Sequence, residues 1–435
     1  MTDTARVILW GRDIGAVTWL PDRAIGVFQY TPEFARSGIE VAPLMMPLND
    51  APYEFPSLSR ETFKGLPGML ADSLPDKFGN ALIDAWLSRE NRPPDSFTPL
   101  ERLCYTGTRG MGALEFKPAL QETPQAARKV EIDALVALAN RVLDDRITLE
   151  GKLTGGDDHK VIEDILRVGT SAGGARAKAV LAWNRATGEF RSGQAPAADG
   201  FSHWIMKFDG VAGNRDREVA DPQGFGRIEY AYHRMARAAG IDMQDCRLHE
   251  EGGRAHFMTK RFDRTDDGEK RHMQSLGAMM HYDFNDAGAY AYEQVLQTIR
   301  RLSLPMSDLE QQVRRTYFNI LARNQDDHVK NIAFLMDRKG AWRLSPAFDV
   351  AYSYNPSGAW TSRHQMSLAG KRDGFSIDDL IEFAGLGDIK TARAKTLLAD
   401  VSAAIRDWRS FADEAGIPKS DIGRIERTHR KELFL

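Results

Sequence analysis

The chain is 435 residues long, 42% hydrophobic and 27% charged, with 58 Lys and Arg against 61 Asp and Glu and a formal net charge of -3. This is ordinary globular composition, long enough for about two to three domains, and it lacks the basic field of a protein that binds nucleic acid by itself. Two cysteines, Cys104 and Cys246, cannot build a disulfide framework and fit a reducing cytoplasm, while Met1 to Trp19 lacks the apolar central region of a signal peptide and no 18-residue apolar run offers a membrane span.

Residues 1 to about 60 read as strands and turns. Val7-Ile8-Leu9-Trp10 and Ile14 to Leu20 are short apolar, β-branched and aromatic runs, punctuated by Gly11, Pro21-Asp22 and Pro32. From Gly65 to about Asn91 the period becomes helical, with Leu70, Leu74, Phe78, Leu82 and Trp86 four apart, and Pro93-Pro94 ends it. Lys129 to Asp145 predicts a helix with Ile132, Leu135, Val136, Ala139 and Val142 on one stripe. Residues 161–263 then alternate glycine turns with strand-like runs, clearest at Ala179 to Trp183 and His203 to Phe208, with a helix expected over Ile228 to Ala239. Beyond Ala289 the pattern is helical at Tyr290 to Leu302, Ser307 to Arg323, Ile377 to Phe383 and Ala392 to Phe411. A strand-rich half followed by a helix-rich half predicts a bilobal α+β architecture. The expected divisions are a β-rich then helical subdomain over 1–120, the remainder of a nucleotide lobe over 121–265 and a helical lobe over 266–435.

Four segments carry chemistry. In Asn324-Gln325-Asp326-Asp327-His328-Val329-Lys330-Asn331, a carboxylate precedes an Asn by five positions, the spacing of a kinase catalytic loop. The Asp would take or orient the proton of an attacking hydroxyl, and the Asn carbonyl is a hard oxygen ligand suited to magnesium. Spacing to Asn331 favours Asp326 over its neighbour Asp327. Asp349, in Leu344-Ser345-Pro346-Ala347-Phe348-Asp349, offers a carboxylate that can hold the same ion as Asn331. Alone, each fragment reads more readily as a polar loop after a helix or an Asp capping a turn; their ordered pairing, after a plausible nucleotide lobe, favours the catalytic reading.

Gly169 to Lys178 is glycine-rich and runs straight into a strand, so backbone amides there can approach phosphate, with Lys178 adding a cation. It matches neither common nucleotide-loop pattern, and a simple turn between strands explains it as well. Lys207 lies within an apolar strand run, where an ammonium needs an anion; a nucleotide phosphate, Glu229 on the next helix, or solvent at a sheet edge would each serve. Phe257 to Arg264 reads either as a hinge strand that presents backbone groups to adenine or as a strand ending in a charged turn. The ten histidines show no metal spacing.

In this order the four segments resemble the HipA family of toxins from type II toxin–antitoxin modules. Gly68 to Asp76 and Gly107 to Leu114 are also similar to family signatures, so the resemblance spans nearly the whole chain. It implies a Ser/Thr protein kinase dependent on ATP and magnesium. Asp326 would be catalytic, and Asn331 and Asp349 would be metal ligands. Ala172, Gly173, Gly174, Ala175, Arg176 and Lys178 would form the phosphate loop, and Lys207, His328 and Lys330 would also bind ATP. Lys260 and Phe262 would meet adenine. Ser171, with Thr170 as the competing acceptor, would be autophosphorylated. The resemblance further implies a small helix-turn-helix, HipB-like antitoxin, operator DNA reached through that antitoxin, and an aminoacyl-tRNA synthetase as substrate. This chain departs from better-known members in the Gly-Ala-Arg-Ala-Lys stretch and in carrying Lys260 where an acidic residue is known. A lipid or small-molecule kinase and a non-catalytic co-repressor are the alternatives.

Overall fold

The computed structural model describes residues 3–89, 91–120, 129–145, 177–193, 199–211 and 224–435. The chain falls into two compact units. The first comprises Met1–Gln223, His249–Gln274 and Met336–Gly340; the second comprises Gly224–Leu248, Ser275–Leu335 and Ala341–Leu435.

The first unit opens with β1 (Thr4–Leu9), β2 (Arg12–Leu20) and β3 (Ile25–Tyr30), joined later in the chain by β4 (Leu114–Lys117) in a sheet of order β3-β2-β1-β4. Leu9 pairs with Arg12, so Trp10 and Gly11 form a two-residue turn. Both have positive φ, 50° and 80°, as the tight turn that matches strand twist demands. Between the sheet's third and fourth strands lie α1 (Lys77–Arg89) and α2 (Pro99–Thr106). The helix expected from Gly65 is broken: Gly68–Ala71 forms one turn, and α1 starts only at Lys77. Pro75 has no N–H to continue a ladder, and Asp76 restarts it by accepting from Gly79 N at 2.6 Å. Over α2, Thr98 and Glu101 make a reciprocal capping box.

The second sheet of this unit places β5 (Lys178–Asn184) between β6 (Phe190–Ser192) and β7 (Phe201–Lys207), with β8 (Arg254–Lys260) beside β7. Ala179 pairs with Met206 and Met206 with Met258; Leu181 pairs with Trp204. These residues make one buried face, closed by Phe78, Leu82, Ile83 and Leu87 of α1 and by Ile132, Leu135, Val136 and Ala139 of α3 (Ile132–Asp145). Since side chains alternate along a strand, Lys178 and Lys207 belong to the opposite face. Their register is therefore fixed by the apolar core beneath them.

One buried charged cluster stitches this unit together. Asp263 accepts from Arg261 Nε at 2.8 Å and from Arg264 Nη1 at 2.8 Å, and also from Gly112 N at 2.7 Å. Arg264 in turn donates to the carbonyls of Gly112 (2.9 Å) and Gly110 (3.1 Å). The turn after β8 thus holds the Gly107 to Leu114 loop. Burial alone would push the Asp263 carboxyl up, but Arg261 and Arg264 hold it well below the usual carboxylate range.

The second unit is mainly helical: α4 (Phe225–Ala238), α5 (Tyr292–Arg301), α6 (Met306–Leu321), α7 (Ile377–Leu386), α8 (Thr391–Arg406), α9 (Trp408–Glu414) and α10 (Lys419–Glu426), with short strands β9 (Ala333–Met336) and β10 (Trp342–Leu344). The single helix expected over Ala392 to Phe411 is two: the backbone leaves helical geometry at Asp407, with φ -83° and ψ 9°. Tyr232 of α4 packs edge-on against Trp408 at 5.3 Å and Phe318 at 6.1 Å, and its hydroxyl donates to Ala322 O at 2.7 Å. Among the described residues no helix is long and apolar enough to cross a membrane.

Removing one partner of a buried ion pair strands the others without compensation, a loss of about 3 to 5 kcal/mol. Asp263→Asn should lower unfolding stability by that order, read by chemical denaturation, whereas Asp266→Asn, which removes the exposed partner of Lys260, should leave it unchanged.

Candidate nucleotide and catalytic site

In the first unit, Lys178 and Lys207 are direct cross-strand partners, and Lys207 is in turn paired with Phe257. Like charges placed opposite each other repel, so this row calls for anions. Asp76 answers Lys178: its Oδ2 lies 3.3 Å from Nζ, with both side chains only 3% exposed. The same carboxylate caps α1 through Oδ1. Lys207 Nζ lies 6.0 Å from the centre of the Phe257 ring. The residues of the expected phosphate loop, Ala172 to Arg176, and the acceptors Ser171 and Thr170 lie outside the described residues. Lys260 ends β8, opposite Trp204, and its ammonium pairs with Asp266. Phe262 follows in the bend, half-buried between Arg261 and Asp263.

In the second unit the Asn324 to Asn331 loop follows α6. Its two adjacent carboxylates have opposite environments. Asp327 is buried and accepts from Tyr292 Oη at 2.5 Å, His364 Nδ1 at 2.6 Å and the Gln365 backbone N–H at 2.7 Å. Arg430 lies 3.0 Å from His364 Nε2. A guanidinium can only donate, so Nε2 accepts and the imidazole proton sits on Nδ1, aimed at Asp327. Arg430 is itself paired with Asp373 at 2.6 Å. Burial would raise the Asp327 carboxyl; His364, Tyr292 and Gln365 hold it below its ordinary value.

Asp326 is partly exposed, its side chain at 24%. Its Oδ1 accepts from Trp360 Nε1 at 2.9 Å and lies 3.8 Å from His328 Nε2. Asn331 Nδ2 donates to the Asp326 carbonyl at 2.7 Å, which closes the loop and commits that nitrogen, leaving the amide oxygen as the ligand-bearing atom. The Phe284 ring sits beside this loop: Lys330 Nζ is 4.9 Å and the His328 ring 5.5 Å from its centre. Asp349 takes a left-handed conformation at φ 55°, after Ala347 donates to Asp242 O at 2.8 Å. Non-glycine residues held this way cluster at functional sites. Glu229, one expected partner of Lys207, is buried on α4.

Two family models match the chain: the HipA N-terminal domain over residues 5–117 and the HipA-like C-terminal domain over residues 170–419, the latter alone more than half of it. The chain belongs to the HipA family. Among curated relatives of this HipA-family chain, the putative kinase Y4mE of Sinorhizobium fredii is 26% identical over 184 residues, 39% of this chain and 43% of its own length. A putative kinase of Haemophilus influenzae is 24% identical over 238 residues, 48% of this chain and 69% of its own. The match therefore spans less than half of the first relative. Among solved structures, the Shewanella oneidensis MR-1 HipA, HipB and operator DNA complex contains a chain that aligns with 99% of this one and 95% of its own length, with a TM-score of 0.65 and 16% identity. That likeness is one of fold, mixed α and β throughout.

The donor chemistry of Asn331 and Asp349 fits magnesium. Among the described residues no group of three or more His, Cys, Asp or Glu side chains converges as a cation cage. Magnesium does not require one, because it keeps waters and takes phosphate oxygens beside one or two protein ligands.

Asp76 and Trp360 escaped the sequence reading. Asp76 lies inside a quoted signature, and its place before α1 is a capping signal; nothing in the sequence points to Trp360.

Because the folded Asp327 carboxyl lies below its ordinary 3.8, it contributes stability above that value and loses it as pH falls toward the folded value. Asp327→Asn should therefore lower stability at neutral pH by about 3 kcal/mol and flatten the loss below about pH 4, whereas Asp326→Asn should leave the unfolding midpoint close to wild type. Thermal unfolding across pH reads both.

Proposed function

We propose that this HipA-family protein is a Ser/Thr protein kinase that transfers the γ-phosphoryl group of ATP, with magnesium, to a protein hydroxyl. The observation that carries this reading is the split between the two adjacent carboxylates. Asp327 is consumed by three internal donors, while Asp326 stays partly exposed on a loop braced by Asn331. Such a division gives one structural and one reactive carboxylate at the spacing of a kinase loop.

In this reading Asp326 receives or orients the proton of the attacking hydroxyl, a task that needs a carboxylate with a fixed plane. Asn331 and Asp349 would hold the magnesium. We assign Lys178, Lys207 and residues 172–176 to the phosphates, His328 and Lys330 to the nucleotide, and Lys260 and Phe262 to the base. Bound Mg-ATP supplies the transferable phosphoryl group and neutralises its charge. The relatives named putative kinases support the reaction class. We assign the chain as the toxin of a type II pair in the cytoplasm, with a small helix-turn-helix antitoxin and operator DNA as partners, and an aminoacyl-tRNA synthetase as substrate. The partners are supported by the HipA, HipB and operator DNA content of the Shewanella complex. A lipid kinase is disfavoured by the near-neutral charge, and a non-catalytic co-repressor by the retention of Lys207, Asp326, Asn331 and Asp349.

Mg-ATP at about a hundred times its dissociation constant should stabilise the protein by roughly 2.7 kcal/mol. Asp326→Asn should keep this thermal shift and lose transfer by about a hundredfold or more. No shift in the wild type, or an unimpaired Asp326→Asn, overturns the assignment.

Phosphate on Ser171 would add about -1.5 to -2 charges beside a loop assigned to phosphate, and like charges would expel it. Protein incubated with Mg-ATP should carry phosphate at Ser171, with Thr170 as the competing acceptor, and this form should no longer bind ATP. Ser171→Ala should retain binding. Mass spectrometry that finds neither residue modified removes self-regulation while leaving the kinase assignment standing.

A further inference from the structure

We propose that Trp360 is a positioning residue for Asp326, fixing the plane of its carboxylate for proton transfer. This rests on the assignment of Asp326 as the proton-receiving group. The indole Nε1–H donates to Asp326 Oδ1 at 2.9 Å. The terminal torsion of an Asp is broad and roughly two-fold, so a carboxylate on a loop samples many planes unless a donor selects one. One donor on Oδ1 makes the two oxygens inequivalent and sets where Oδ2 points. Indole nitrogen donates and cannot accept. It therefore orients the carboxylate without competing for the proton that the carboxylate is to receive. Preorganisation of this kind is how a fixed dipole assists a reaction.

The support extends behind Trp360. Gln365, buried, donates through Nε2 to the carbonyl of Trp360, to Arg363 O at 3.2 Å and to Gln325 O at 3.5 Å. Its backbone N–H and the neighbouring His364 Nδ1 are two of the three donors to Asp327. Residues 360–365 thus grip the carboxylate pair from both sides: His364 and Gln365 hold the structural member, and Trp360 reaches the reactive one. The carbonyl of Trp360 is tied to the same loop that carries Asp326. The position of the indole is consequently referenced to the catalytic loop itself, through a side chain that no spacing motif contains.

The test replaces Trp360 in the full chain in two ways. Trp360→Phe removes the N–H and one ring. Substitution of the indole by the isosteric benzothiophene keeps the bicyclic shape and removes only the N–H. Labelled phosphate transferred from Mg-ATP to protein, summed over the chain itself and an added heat-treated cell lysate, gives the transfer rate, calorimetry gives the dissociation constant of Mg-ATP, and thermal unfolding reports the fold. Both replacements should slow transfer by about tenfold or more, with Mg-ATP affinity within about twofold of wild type, because a hydrogen bond to a charged group is lost without loss of binding. Wild-type transfer with benzothiophene would assign the effect to packing and overturn the proposal. Faster transfer with either replacement would make Trp360 a gate, and parallel loss of transfer, affinity and unfolding temperature would make it a structural residue; each also overturns it. Failure of the underlying assignment is visible separately, as a wild type without transfer or an Asp326→Asn variant at the wild-type rate, and the Trp360 proposal then falls with it.

Discussion

A carboxylate taken out of water must be matched by donors or it will not stay ionised, and in the second unit that requirement falls on Asp327. Its donors come from separate parts of the chain: Tyr292 from α5, His364 and Gln365 from the segment before α7. Arg430, near the end of the chain, fixes the tautomer of His364 and is answered by Asp373. Asn319 of α6 also donates to the Tyr292 hydroxyl, at 3.1 Å. One buried charge therefore ties the Asn324 to Asn331 loop to the helices around it. The neighbouring Asp326 can remain partly exposed because the loop's position is already determined from below.

The first unit uses charge differently. Its apolar sheet face fixes the register of β5, β7 and β8, and that register brings Lys178 opposite Lys207. Repulsion between directly opposed ammonium groups would weaken the sheet, so Asp76 on the α1 cap lies against Lys178. The Arg261, Asp263 and Arg264 cluster is a separate device: its donors end on the Gly110 and Gly112 carbonyls, so its work is to hold a loop. The charged turn that the sequence offered beside a possible adenine hinge is thus a buried clamp, and Phe262 is carried within it.

Family membership and chemistry rest on different grounds. The family models establish the first. The TM-score of 0.65 over 99% of the chain establishes a fold shared with the Shewanella chain, and a fold by itself hosts many activities. The proposed kinase reading draws its weight from the Asp326 to Asn331 loop, where residue type, spacing and the partial exposure of Asp326 agree.

The sequence by itself determined the elements whose signals are local. The runs of β1, β2, β5 and β7, the stripe of α3 and the positions of α4 to α7 follow from periodicity and turn residues, and the five-residue spacing from Asp326 to Asn331 marked the loop. Two further signals are local: the Thr98 and Glu101 capping box announces α2, and Pro75 announces the break before α1. Tertiary structure alone decided the rest, because those decisions depend on residues far apart in the chain. That Asp327 is sealed depends on Tyr292 and His364, 35 and 37 positions away; that Asp326 is held depends on Trp360, 34 positions away; that Lys178 is matched depends on Asp76, about a hundred positions before it. Periodicity reports which face of an element is apolar, but not which donor will meet a given carboxylate, since that is set by the packing of elements the local pattern does not relate.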